Sequence, residues 1–315
     1  MLENGGGVAV LRHSAAFLCA LHIAGALHMS NSAKNDKKVT VRVYGEAGCR
    51  FTRLYLTGPV RNALSDPATA EAMDFDFSAF GNAYFMTKQC EEAVAPADQS
   101  SPGCGGGGGY SASVRGCFNR MCGLKAATRP EVCFNGPLIC QHGLKECSFD
   151  RYFACAKRVA EAGAVSGSYM PFVLCMVDKF EETEGGDAYM SLLAGCANSS
   201  GVNYEALRSC YGSNEGSKAL ADEAASTPDH LGVPWITVDG YEMEESYEPN
   251  MLQVAVQSVR GGAALPTGAV PAAEQPAAQL QLKRAELAFE RESVRCDETK
   301  EKAWRALSYA GAGGV

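Results

Sequence analysis

Cys49 stands where a β-branched run gives way to residues of helical character, in the stretch "VTVRVYGEAGCRFTRLYLTGPV" from Val39 to Val60. Val39, Val41 and Val43 alternate with polar residues and predict a strand over Val39 to Tyr44. Arg50 to about Leu64 predicts a helix that Gly58-Pro59 kinks or interrupts. A thiol at such a junction can serve as the nucleophile of disulfide exchange, because unpaired N–H groups and the positive end of the helix dipole favour a thiolate. Arg50 and Arg53 would add positive charge if they turn that way. A dithiol site needs a second cysteine three positions on, and that position is Thr52. A hydroxyl cannot attack a mixed disulfide; it can only donate a hydrogen bond to the Cys49 sulfur. Release would then need an external thiol such as glutathione or free cysteine, or another cysteine of the chain. The competing reading puts Cys49 in a permanent structural disulfide.

The chain has 315 residues with 14 cysteines, a density that points to disulfides in an oxidising compartment. Zinc is the alternative, but no C-x-x-C occurs and only His142 and His230 remain beyond residue 30, so no metal site is expected. The net charge of −8 argues against a general nucleic-acid binder. No apolar run is long enough to suggest a membrane span. Arg12 and His13 precede "SAAFLCALHIAGALHM", so residues 1–32 read as a signal peptide, cut between Ala26 and Ala33, or as a disordered leader. Removing Cys19 leaves an odd number of cysteines and hence a free or intermolecular thiol. Asn198-Ser199-Ser200 is a glycosylation acceptor pattern.

The elements that must position Cys49 follow along the chain. "MDFDFSAFGNAYF" (Met73 to Phe85) predicts a second strand running into a Gly-Asn turn, which with the first strand begins a βαβ unit. Residues 88–136 abound in Gly, Ser and Pro, carry Cys90, Cys104, Cys117, Cys122 and Cys133, and hold few large apolar side chains. They read as a surface insertion held by disulfides, unable to build a core alone, with a resolving thiol conceivable among its odd number of cysteines. Leu144 to Ala225 is helical in pattern. Trp235 to Val238 predicts a short strand, Asp239-Gly240 a two-residue hairpin turn, and Tyr241 to Met243 the return strand. A helix ending at Gly261-Gly262 closes the domain. Residues 261–279 form a Pro/Ala linker, and 280–315 a charged, solvated or loosely docked tail helix.

Val233-Pro234-Trp235 fits a cis-proline loop before a strand, which in thioredoxin-like folds abuts the active cysteine and offers backbone pairing to an extended substrate. The segment "CQHGLKECSFDRYFAC" (Cys140 to Cys155) resembles the signature of the gamma-interferon-inducible lysosomal thiol reductase (GILT) family. Cys140, Gln141, His142, Gly143, Glu146, Cys147 and Cys155 match it, and Asp150 stands where the family has Asn. "FGNA" (Phe80 to Ala83) and "PWITVDG" (Pro234 to Gly240) are also similar, so the resemblance spans roughly Val39 to Arg260. It implies an α/β, thioredoxin-like fold with helical additions over residues 38–260. It also implies reduction of protein disulfides in an acidic endosomal or lysosomal compartment, or after secretion. The family's first active cysteine carries over onto Cys49, and the second position falls on Thr52. Cys140, Cys147 and Cys155 are then structural disulfide partners, with Cys175, Cys196 and Cys210 as further candidates whose pairing sequence does not reveal. His142 is an orienting or packing residue.

A serine hydrolase is poorly supported, since no G-x-S-x-G occurs. The glycine run from Gly105 to Gly109 lacks the Lys-Ser/Thr of a phosphate-binding loop. Three readings stay open. The first is a thiol–disulfide reductase with Cys49 as nucleophile, Val233 and Pro234 at the substrate, no resident cofactor and a small thiol as reductant. The second is a redox-attenuated module that binds or traps unfolded or Cys-containing proteins. The third is a secreted Cys-rich structural protein.

Overall fold

The computed structural model describes residues 37–93, 110–122, 131–162, 167–183, 187–228, 230, 232–243, 247–265 and 270–271. The expected leader, Cys104, and the tail helix lie outside the described residues. Of the unit Met1–Lys38, only Lys37 and Lys38 are described, both exposed.

From Val39 onward the chain is a mixed α/β structure, mostly helical, around a small mixed sheet, in agreement with the expected α/β class. Strand β1 (Val39–Gly45) buries Val39, Val41 and Val43 on one face, as its alternation requires. It pairs in parallel with β2 (Met73–Ala79), in register Val41 to Phe75. The connection between them holds the expected break. Helix α1 (Arg50–Tyr55) runs into a π-helical turn (Leu56–Val60) at Gly58-Pro59, then α2 (Arg61–Ser65) and α3 (Pro67–Ala72). Pro59 has no N–H for the helical ladder, and the wider turn absorbs the missing bond. Asp66 caps α3, its Oδ2 accepting from the Thr69 N–H at 3.0 Å.

On the other side of β1 lies β5 (Trp235–Val238), antiparallel, with Tyr44 opposite Trp235. Asp239 and Gly240 have φ of 49° and 83°, the left-handed pair that a tight hairpin demands, and lead into β6 (Tyr241–Glu242). Val270–Pro271 pairs with β6 at the sheet edge, so the Pro/Ala stretch read as a linker contributes a short strand. Proline is tolerated there because an edge strand can leave one side of its ladder unpaired.

Helix α6 (Leu144–Glu161) and helix α10 (Asn214–Ser226) pack against each other and against β2. Helix α11 (Met251–Arg260) packs on β1 and the crossover helices. The main core joins Val41, Val43, Phe77, Phe149, Phe153, Phe172 and Leu193.

The Cys-rich insertion is held by disulfides, as expected, and its packing adds to that reading. Helix α4 (Lys88–Ala93) and helix α5 (Ala112–Cys122) are tied by Cys90–Cys117, and Cys122–Cys133 secures the following turn. Val114 and Phe118 are buried with Phe80, Tyr84 and Phe85 in a second apolar cluster. The insertion therefore shares a core, because it packs on a loop and strand of the main domain that sequence composition alone did not associate with it. Among the described residues it offers no spare thiol, since all four of its described cysteines are paired.

Three further disulfides cross the helical region: Cys140–Cys147, Cys155–Cys210 and Cys175–Cys196. Cys155–Cys210 closes the longest of these loops, 55 residues, and pins α6 to helix α9 (Tyr204–Tyr211). In the chain-entropy picture such a loop contributes about 4 kcal/mol. A Cys155→Ser/Cys210→Ser double variant should lose stability of that order in denaturant unfolding. A loss below about 1 kcal/mol would show that the bond is dispensable.

Candidate active site

The turn from Glu46 to Cys49 joins β1 to α1 and is fastened from several sides. Its own backbone closes with the Cys49 N–H donating to the Glu46 carbonyl at 3.3 Å. The Asp150 Oδ1 on α6 accepts from the Ala47 N–H at 2.9 Å. Arg53 Nη1 donates to the carbonyls of Ala47 at 3.0 Å and Gly48 at 2.7 Å, while Nη2 pairs with Glu181. The Arg53 guanidinium also lies 4.6 Å from the Phe180 ring centre. Gly48 sits where a Cβ would collide with His142 and Glu146, so this position has room only for glycine.

Cys49 is the N-cap of α1 and, among the described cysteines, the one outside a disulfide. Its sulfur lies 3.5 Å from the Val233 carbonyl oxygen, which the thiol can donate to. The Val233–Pro234 peptide bond is cis, and both residues are buried. The two elements read as separate motifs, 184 positions apart, thus meet at one sulfur. Thr52 is fully buried, and its Oγ1 has no hydrogen-bond partner while Cys49 is protonated.

The expected low pKa of Cys49 is not observed. Burial pushes the thiol up to about 11, with the nearby Glu46 carboxylate adding to the rise. The Thr52 backbone and side chain and the Phe51 N–H pull the other way, as donors to a thiolate, but they do not prevail. The helix N-terminus does act in the expected direction; desolvation outweighs it. Arg53 is turned to the turn carbonyls and Glu181, and Arg50 is exposed.

Beneath the turn lies a group of acids that the sequence reading passed over. Glu46, Glu146 and Asp150 are all almost fully buried. His142 joins them, with Nδ1 2.6 Å from Glu146 Oε2 and 3.4 Å from Glu46 Oε1, and its backbone N–H 3.2 Å from Glu146 Oε1. Glu46 Oε2 accepts from the Asn82 N–H at 2.7 Å, and Asn82 Nδ2 donates to Gln141 Oε1 at 2.6 Å. Asn82 Oδ1 in turn meets His230 Nε2 at 3.2 Å. "FGNA" and the "CQHG" run therefore converge on Glu46, and the Cys140–Cys147 disulfide closes the loop that carries Gln141 and His142. One donor atom each of Glu46, His142 and Glu146 falls within 4.8 Å of the others, spacing that could suggest a metal. His142 Nδ1 and Glu146 Oε2 already share a short hydrogen bond.

Burial, followed by the neighbouring Glu146 charge, holds the Asp150 carboxyl well above the ordinary range, against the pull of the Ala47 N–H. A signal for this group was present in sequence: His142, Glu146 and Asp150 recur every four residues, a spacing that puts Glu146 and Asp150 on one helix face. Asn198 is exposed within helix α8 (Asp187–Ser200). Cys175 and Cys196 pair between helix α7 (Met170–Asp178) and α8, away from Cys49 in the chain.

Phe51 and Leu54, on the outer face of α1, are exposed, as is Tyr247, whose ring centre lies 6.0 Å from that of Phe51. Among the described residues no helix is long and apolar enough to cross a membrane.

Residues 125–200 match the family described as Gamma interferon inducible lysosomal thiol reductase (GILT). The chain is also 28% identical over 122 residues to a protein of Arabidopsis thaliana called "Gamma-interferon-responsive lysosomal thiol protein". That match covers 38% of this chain and 46% of the relative, so the chain spans about half the relative's length. The resemblance read from Cys140 to Cys155 is borne out. The matched family segment contains the signature but neither Cys49 nor Pro234.

A thiol with a pKa near 11 should be alkylated ever faster as pH rises from about 7 to 10, roughly tenfold per unit, without levelling near 8.5. Glu46→Gln removes a like charge and should shift that profile to lower pH. Mass-spectrometric alkylation rates at Cys49 measure both; a plateau near 8.5 in the wild type would contradict the burial argument.

Proposed function

We propose that this chain, a relative of the GILT family, is a thiol–disulfide reductase acting on disulfide-containing proteins through Cys49 alone. The observation that carries the reading is the unpaired Cys49 sulfur at a strand–helix junction, 3.5 Å from the carbonyl beside Pro234. That juxtaposition also supports a thioredoxin-like reading of the mixed α/β architecture. An extended substrate can pair with backbone near Val233, while the exposed Phe51, Leu54 and Tyr247 meet its apolar side chains.

In the proposed cycle the Cys49 thiolate attacks one sulfur of a substrate disulfide. A mixed disulfide forms, and the departing substrate sulfur takes up a proton. A small thiol, such as glutathione or free cysteine, then attacks the Cys49 sulfur, frees the reduced substrate and leaves the small thiol bound to Cys49. A second small thiol attacks that bond and returns Cys49 to its reduced form. The balance is one substrate disulfide and two small thiols in, one reduced substrate and one small disulfide out. Thr52 offers a hydroxyl to the thiolate and takes no part in resolution.

The raised pKa sets the pace. A two-unit rise from 9 to about 11 lowers the thiolate fraction a hundredfold at neutral pH, while greater intrinsic nucleophilicity recovers part of it. The net penalty is about tenfold with a Brønsted slope near 0.45. The enzyme is slowed, not silenced. This observation, with Thr52 in place of a resolving thiol, also favours a second reading: a redox-attenuated module that traps Cys-containing or unfolded proteins as long-lived mixed disulfides. The several disulfides fit an oxidising site of action, in the secretory pathway, a lysosome-like compartment or outside the cell.

Purified protein with glutathione should reduce a disulfide-bonded protein substrate, and Cys49→Ser should abolish the reaction. Thr52→Cys should raise turnover at least several-fold by supplying an internal resolving thiol. Adducts that persist for hours with turnover at background would select the trapping reading. No adduct and no reduction would defeat both.

A further inference from the structure

The acids beneath the Cys49 turn pose a question of charge. Three carboxyl groups, Glu46, Glu146 and Asp150, are buried together, and His142 is the basic side chain set directly among them. Arg53, at the turn, is committed to the Ala47 and Gly48 carbonyls and to Glu181. On α10, Glu223 adds a further negative charge toward Asp150, and Lys157 of α6 is shared between Glu223 and Asp76.

Hydrogen bonds show where a proton is missing. Both oxygens of Glu146 accept from His142, Glu46 Oε2 accepts from Asn82, and Glu46 Oε1, without a hydrogen bond of its own, lies 3.4 Å from His142 Nδ1. The accepting oxygens need no proton. Asp150 Oδ1 likewise accepts, from the Ala47 N–H. Asp150 Oδ2 is buried without a hydrogen-bond partner in a residue only 1% exposed. A buried oxygen left so costs free energy that a proton on it would relieve, provided an acceptor is near. One oxygen of Glu146 and one of Asp150 lie within 4.8 Å of each other, so a charge on Asp150 would be repelled and a proton there relieves that repulsion.

We propose that Asp150 carries a proton on Oδ2, and that the neutral carboxyl so formed is the positioning residue that holds the Ala47–Cys49 turn through the Ala47 N–H. Without that proton, a further charge stands beside Glu146 and Glu46, and repulsion pushes α6 away from the turn that presents the thiol. The inference rests on the reading of Cys49 as the reacting group, but it concerns how the sulfur is held. The upward shift of the Asp150 carboxyl points the same way.

Asparagine reproduces the neutral acid, with an oxygen for Ala47 and an N–H donor where the protonated oxygen stands, and cannot ionise. The sign follows from linkage. Asp150 binds its proton more tightly folded than unfolded, so the stability it contributes is complete below about pH 4 and is lost as pH rises toward the folded value. Asp150→Asn should therefore melt like the wild type near pH 4 and above it at neutral pH, by roughly 3 °C or more. Cys49 alkylation in Asp150→Asn should stay within about twofold of the wild type, whereas Asp150→Ala should change it about tenfold as the turn loosens. A melting difference that does not grow with pH would overturn the proposal. So would an Asn variant whose Cys49 alkylation departs from the wild type as far as that of the Ala variant. Should Asp150→Ala fail to fold, the melting series of wild type and Asn variant decides alone. Neither measurement uses turnover, so failure of the reductase assay and failure of this proposal are separate results.

Discussion

The Glu46–Cys49 turn is anchored by bonds that come from far along the chain, and the rest of the site depends on them. Asp150 takes the Ala47 N–H, Arg53 takes the two carbonyls that follow, and Val233 faces the sulfur itself. A four-residue turn has too few contacts of its own to hold a side chain in one place against its conformational entropy. Here α1, α6 and the segment before β5 together remove that freedom. The same enclosure excludes water from the thiol, and this is why the sulfur resists ionisation although it sits at a helix start.

The disulfides serve this arrangement at a distance. Cys140–Cys147 holds the loop bearing Gln141 and His142 at the head of α6, so that the helix delivers Glu146 and Asp150 to the turn. Gly143, with φ of 86°, makes the reversal between that loop and the helix, a conformation open to glycine and strained for other residues. Cys155–Cys210 fastens the far side of the same helix to α9. Phe80, next to the Asn82 that supports Glu46, is packed by Phe85 and by Phe118 of the Cys-rich insertion. The insertion thereby buttresses the residues that hold Glu46.

Much of this was legible from local pattern. The strand at Val39, the interrupted helix around Pro59, the Asp239-Gly240 hairpin and the cysteine before α1 each follow from the properties of a few neighbouring residues. The Cys140–Cys155 segment resembled a family signature in its residue types together with their spacing. The core contribution of the insertion was not legible, because Val114 and Phe118 are too sparse to announce an apolar face until Phe80 and Phe85 are beside them. Nor was the meeting of Glu46 with the acids of α6: Glu46 lies a hundred residues from Glu146, and a glutamate before a turn ordinarily reads as solvated.

The sequence by itself determined which atoms are available for chemistry. It places a single sulfur before a helix, a hydroxyl where a second sulfur could have stood, and a proline before a strand. It also determined a cysteine content that fits an oxidising setting. Tertiary structure decided what those atoms do. It set the sulfur beside the Val233 carbonyl, engaged Arg53 with the Ala47 and Gly48 carbonyls and Glu181, and brought Glu46 close enough to oppose its charge. Ionisation of a buried group depends on how much water and which charges surround it, and those surroundings are assembled from segments that chain order keeps apart.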